Sequence, residues 1–267
     1  MSLLQTIQTG KLQGPPRLLI YGTEGIGKST FGASAPKPIF VPTEDGLDNI
    51  ECAKFPLCRS FDDAINCLDT LLKEQHDYRT VVVDSLDWLE RLIWDHTCLQ
   101  HRAEDIEKVG GGYGKGYTIV LTYWRKFIDL LREIRQQRNM IIILLAHAQV
   151  RQHVDPETTA FDQFLPKLHK NANSLVAEWC DAILMATREY GAAKGEKGGG
   201  PRILRCERSA TCSAKNRYNL PETLPLNWNA LTRAMYGNAV KPNESQTSDG
   251  QSRNEFYKEN NNGPIEF

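Results

Sequence analysis

RLLIYGTEGIGKST, residues 17–30, couples an apolar run to a loop punctuated by glycine. RLLIYG (17–22) is long enough for a strand, and its unbroken apolar character suits a strand covered on both faces. GTEGIGKST (22–30) fits the spacing G-x-x-x-x-G-K-S/T through Gly22, Gly27, Lys28 and Ser29. Each residue type has a physical reason. Glycines let the backbone wrap phosphate closely, and successive N–H groups at a helix start form an anion nest. Lys28 places a point charge on the β and γ phosphates, and the Ser29 hydroxyl is a ligand for Mg²⁺. Gly22, Thr23, Glu24, Gly25, Ile26, Gly27, Lys28, Ser29 and Thr30 are therefore the candidate nucleotide-binding residues, with ATP and Mg²⁺ as the expected cofactors.

Further apolar runs follow at KPIFVPTE (37–44), TVVVDS (80–85), MIIILLAH (140–147), DAILMAT (181–187) and RILRCE (202–207). Helical patterns alternate with them over 28–34, 60–75, 86–108 and 117–138. In SFDDAINCLDTLLKEQ (60–75), Ser60 is the expected N-cap, and Ala64, Ile65, Leu68, Leu71 and Leu72 share a face. Such alternation implies parallel strands joined by crossovers. The expectation is an α/β domain over 15–237 with a doubly wound, mostly parallel sheet. An N-terminal segment (1–14) precedes it, and a polar, Asn-rich tail (238–267) follows. The tail holds too little apolar surface to order itself and is expected to be flexible.

Lys and Arg number 32 against 33 Asp and Glu, for a net charge of −1 over 267 residues, so net charge alone cannot coat the chain with nucleic acid. A local basic groove stays open. No apolar run reaches the roughly 18–20 residues of a membrane span, and the N-terminus has no signal-peptide pattern. Seven cysteines without CxxC spacing fit reduced thiols, and a cytoplasmic protein without a membrane partner is expected. His96, Cys98 and His101 lack a fourth ligand at usual zinc spacing.

Three positions could complete the chemistry. Asp84 ends the run TVVVD at the sheet edge where ligands bind, and its carboxylate is the candidate metal partner beside Ser29. Capping the next helix is the other reading, a job that Ser85 could share. Hydrolysis also needs a group to orient or deprotonate water. Glu44, after the second run, would lie by the phosphate loop if that strand neighboured the first, and Asp45 is its rival. In LLAHAQVR, His147 and Gln149 share a facing on a continuing strand, and either could sense the γ-phosphate.

Taken together these positions resemble the RecA-like ATPase core. IFVPTEDGLDN (39–49) resembles the segment in which a catalytic Glu precedes a Leu-Asp pair, here Glu44, Leu47 and Asp48. SAKNRYNLP (213–221) resembles the K-x-R finger of RecA-like replicative helicases, with Lys215 and Arg217. GYGKGY (112–117), the LLAH strand, FLPKLHKNANSLVAEWCD (164–181) and AKNRYNLP resemble the short phage ATP-binding proteins known as Sak-type single-strand annealing recombinases. The resemblance covers about 15–230. It implies a RecA-like P-loop NTPase with a C-terminal β-hairpin region. The implied activity is a DNA-dependent ATPase of a bacteriophage in its bacterial host, acting in recombination or replication. It further implies single-stranded DNA as partner and self-assembly into a ring or filament. Lys215 and Arg217, two apart on an extended strand, would point together toward a neighbouring subunit's γ-phosphate, and a solvated basic strand edge is the plain alternative.

Two segments have the make-up of a single-strand surface, in which cations follow phosphates and rings stack on bases. KVGGGYGKGYT (108–118) mixes Lys108 and Lys115 with Tyr113 and Tyr117. The second, expected as a loop over 150–171, carries Arg151, His153, Phe161, Phe164, Lys167, His169 and Lys170. The Gly/Lys-rich stretch 189–202 reads as a hairpin tip. The terminal GPIEF faintly resembles the partner-docking tail of single-strand-binding proteins, which makes such a protein a further candidate partner. Two other functions compete with the recombinase: a hexameric helicase or helicase-loading ATPase, and, ranked last, a P-loop nucleotide kinase.

Overall fold

The computed structural model describes residues 3–7, 9–10, 14–154, 159–189 and 199–237. The expected flexible tail (238–267) and the central part of the 189–202 hairpin tip lie outside the described residues. In chain order the elements are β1 (Arg17–Gly22), α1 (Lys28–Ala33), β2 (Pro38–Pro42), β3 (Ala53–Lys54), α2 (Phe61–Lys73), β4 (Thr80–Asp84), α3 (Leu86–His101), α4 (Lys115–Gln137), β5 (Ile141–His153), β6 (Phe161–Pro166), α5 (Lys170–Trp179), β7 (Ala182–Arg188), β8 (Arg202–Arg205), β9 (Lys215–Asn216), β10 (Thr223–Pro225) and α6 (Trp228–Tyr236).

The main sheet runs β10-β8-β7-β1-β5-β4-β2-β3. From β7 to β3 every pairing is parallel, while β8 and β10 add an antiparallel C-terminal edge. This is the expected α/β architecture with a mostly parallel sheet. The unbroken apolar runs follow from burial on both faces. Leu19 and Tyr21 of β1, with Val81 and Val83 of β4, pack into the layer formed with α2, α3, α4 and α5. Leu18, Ile20 and Val82 point the other way, into the layer with α1 and α6. Ser60 caps α2 as expected, its hydroxyl accepting from the Asp63 N–H while the Asp63 carboxylate accepts from the Ser60 N–H. Such a cap is worth about 1 kcal/mol.

Several expectations change. The helix expected over 86–108 ends at His101, because Arg102 turns left-handed (φ 52°) and the Ala103 N–H closes onto the Cys98 carbonyl. The segment expected as a loop over 150–171 is largely a β-hairpin. β5 runs past the sheet edge to His153 and pairs antiparallel with β6, from Ala148↔Pro166 to His153↔Phe161. Within it Phe164 is half-buried against the core and its carbonyl accepts from the Tyr21 hydroxyl, which gives this ring a structural job. β2 does not neighbour β1, since β5 and β4 lie between them. His96 packs edge-on with Phe61 and Tyr123, and Cys180, Cys206 and Cys212 are buried thiols. All seven cysteines are free. Among the described residues no helix is long and apolar enough to cross a membrane.

Candidate active site

The phosphate loop leaves the carboxyl end of β1 at Gly22 and enters α1 at Lys28. Gly27 caps that helix at φ 106°, a backbone state that L side chains rarely adopt. A Cβ on Gly22 would stand 2.4 Å from the Ala186 carbonyl oxygen of β7, so close strand packing also demands glycine there. Lys28 is buried, and its ammonium donates to the loop's own carbonyls at Gly22 (3.2 Å) and Thr23 (3.0 Å). Burial lowers its proton affinity, while Asp84, Glu44 and Asp87 work to raise it. Thr23, Glu24 and Gly25 are exposed, and the buried Ile26 anchors the loop in the α1 layer.

Asp84 ends β4 at the same sheet edge. Its Oδ2 accepts from the Ser29 hydroxyl at 2.6 Å, while its buried Oδ1 has no hydrogen-bond partner. Burial pushes this carboxyl up to about 6, against the lowering pull of Ser29 and Lys28. A buried carboxylate with a free oxygen, beside a hydroxyl, fits the oxygen donor set of a divalent cation, and the neighbouring ammonium suits the phosphates such a cation would accompany.

Glu44 reaches this cluster by a route other than the one expected. The Thr43 and Glu44 N–H groups both donate to the Asp84 carbonyl, which folds the chain after β2 across the end of β4. The Glu44 Oε2 then accepts from the Ser85 hydroxyl at 2.9 Å and stands 3.7 Å from His147 Nδ1. Among the described residues Asp45 makes no hydrogen bond or ion pair with this group, so the geometry separates the two rival acids.

His147, at the end of the sheet-forming part of β5, is held by Asp87 of α3. The Asp87 carboxylate accepts from the His147 backbone N–H at 3.0 Å and from Nδ1 at 2.9 Å. That side-chain bond raises the His147 proton affinity, with burial opposing it. At Asp87 burial works to raise the carboxyl, and the bonds from His147 outweigh it and leave the group below the usual range. Gln149, the alternative to His147, is turned away: its amide donates to the Pro166 and Leu168 carbonyls at the hairpin base. Sequence reasoning missed Asp87. The signal was present in DSLDWLE (84–90), where Asp87 and Glu90, three apart, share a face of the helix that starts just after Asp84.

Lys215 and Arg217 are not brought to this site. β9 pairs with the amino end of β7, whereas the phosphate loop sits at the carboxyl end, roughly 10–16 Å away by strand rise. Lys215 donates to the Ala177 and Glu178 carbonyls at the end of α5. Arg217, half-exposed, reaches Asp181 at 3.4 Å.

The two segments singled out for their mix of rings and cations meet. Tyr117 stacks flat on His169, with ring centroids 4.3 Å apart and planes 8° apart. Tyr113 is fully exposed at the tip of its turn, and Lys115, Arg151, Lys167 and Lys170 are exposed around it and along the hairpin. Lys108 pairs with Glu104 and Asp105 on its own turn.

The crystal structure of the RadB recombinase is similar to 81% of this chain and 89% of its own, at 16% identity and a TM-score of 0.45. The SPbeta prophage-derived uncharacterized protein YorG of Bacillus subtilis (strain 168) is 25% identical over 135 residues, 49% of this chain and 40% of that protein. The chain thus spans about two fifths of that relative's length. A family match described as an AAA domain runs from residue 14 to 218, taking in the phosphate loop, Glu44, Asp84, Asp87, His147 and Lys215–Arg217. With well over half its length inside that match, and a P-loop ATPase site at the sheet edge, the chain belongs to the AAA domain family AAA_24.

Proposed function

We propose that the protein binds ATP with Mg²⁺, hydrolyses it, and uses the cycle to act on single-stranded DNA as an oligomeric recombination or annealing ATPase. The observation that carries the hydrolytic part is the meeting of Glu44, His147 and Asp87 beside the Ser29–Asp84 pair, although β2 and β1 are not neighbours. Ser29 and Asp84 would hold the cation, which would neutralise charge on the β and γ phosphates. Lys28 would exchange its two loop carbonyls for phosphate oxygens. Glu44 would accept the proton of the attacking water, and His147, oriented by Asp87, would hydrogen-bond the leaving γ-phosphoryl group.

The DNA part rests on the exposed Tyr113, the Tyr117–His169 stack and the exposed cations of the hairpin, a mix of rings and positive charge suited to single strands. Self-assembly rests on the remoteness of Lys215 and Arg217 from their own phosphate loop. The Sak-type resemblance favours annealing as the output.

ATPase rate with and without single-stranded DNA, over a salt series, tests the reading. Stimulation that falls steeply with salt, and loss of all hydrolysis in Lys28→Ala, are the expected results. A folded protein whose hydrolysis ignores DNA would remove the DNA part. Unwinding of a forked duplex would shift the output to a helicase.

A further inference from the structure

Arg202 opens β8, on the side of β1 opposite to β5, β4 and β2, which bring His147, Asp84 and Glu44. Its guanidinium comes within 3.0 Å of the place a Cβ on Gly27 would take, with its Cδ at 3.8 Å and Leu226 Cδ2 at 3.6 Å. The side chain therefore lies against the glycine that caps α1, where the phosphate loop enters the helix. Arg202 is exposed, and among the described residues no carboxylate pairs with it.

A second observation points to an anion. In the β7–β8 ladder Arg202 stands directly opposite Arg188. Like charges in that relation repel, so the pair costs stability unless a negative group stands near. Arg188 is partly relieved by the carbonyls of Gly199 and Gly200, to which its guanidinium donates. Arg202 has no such relief among the described residues.

We infer that Arg202 is a nucleotide-binding residue that grips the α-phosphate, at the end of the loop away from the hydrolytic cluster. The inference rests on the nucleotide reading above. The loop backbone cradles the α and β phosphates while its lysine reaches β and γ. The γ end belongs with Lys28, Asp84 and Glu44 on the β4–β5 side, so the α end falls toward β7 and β8, where Arg202 waits. A charge-assisted bond from arginine to phosphate is of the strong kind.

The test is equilibrium binding of ADP, ATP and inorganic tripolyphosphate to the full chain, for wild type, Arg202→Ala, Arg202→Lys and Lys28→Ala. Arg202→Ala should weaken all three ligands by a similar factor, about tenfold or more, and Arg202→Lys should recover part of the loss. Wild-type affinity in Arg202→Ala, with wild type binding normally and Lys28→Ala impaired, overturns this inference and leaves the nucleotide reading standing. A loss for ADP but not for tripolyphosphate overturns the phosphate assignment, since the contact would then be to the nucleoside. A loss for ATP alone overturns it too, by moving Arg202 to the γ end. Folded wild-type protein that binds none of the three ligands overturns the underlying reading and this inference with it.

Discussion

Asp87 shows how a single side chain prepares a site. Its two oxygens take both the backbone and the ring N–H of His147, which fixes the ring's direction and its proton on Nδ1. Asn at this position keeps the size but presents an amide N–H₂ to one of those donors. The expected outcome of Asp87→Asn is a ten- to hundredfold lower kcat with ADP affinity within about threefold of wild type. The alkaline limb of the rate profile should also move to lower pH, because His147 must carry a proton on Nε2 as well as Nδ1 to donate to a phosphoryl oxygen, and the bond that raises it is gone. Steady-state kinetics over pH and an ADP titration read both. An unchanged kcat would remove His147 from the reaction.

At the scale of an element, α3 connects two places. Its first turn carries Asp87, at the nucleotide end, and one turn later Glu90 accepts the His169 N–H at 2.9 Å, at the hairpin base. Glu90 is buried, and burial pushes its carboxyl up to about 7, well above its value in an unfolded chain. The protonated form therefore favours the fold: this contribution is complete at acid pH, below the unfolded value, and is lost as pH rises through about 7. Glu90→Gln is neutral throughout. Its melting temperature should gain on wild type between pH 5 and pH 8, by up to about 3 kcal/mol in stability. Parallel melts at the two pH values check this, and a constant gap would contradict the raised carboxyl. Through His169 and its stacked Tyr117, the same helix joins the nucleotide cluster to the segments proposed to hold DNA.

At the scale of the whole molecule, the sheet puts the phosphate loop on its carboxyl edge and Lys215 with Arg217 near the amino end of β7. One subunit cannot close that gap on itself, so a finger role requires a neighbour. Lys215→Ala and Lys28→Ala, each inactive alone, should recover up to about a quarter of the wild-type rate when mixed in equal amounts, the share of interfaces with both halves intact. ATPase of the mixture against each variant is the measurement. Full activity of Lys215→Ala alone would assign this lysine to the end of α5, whose carbonyls it already holds.

What could be read along the chain was what depends on near neighbours. The phosphate loop, the buried strands, the α2 cap and the Asp at the end of β4 follow from spacing and local hydrogen bonding, and the α/β class follows from their alternation. Other features depended on residues far apart in the chain. Glu44 joins the site because the Asp84 carbonyl draws the end of β2 across β4. His147 stands in the cluster and Gln149 outside it because Asp87 faces one and the hairpin carbonyls take the other. Arg202 meets Gly27 because β8 folds back antiparallel on β7. The Glu44–Asp84, His147–Asp87 and Arg202–Gly27 contacts pair residues 40 to 175 positions apart, and no local pattern records a distance that only the closed sheet creates.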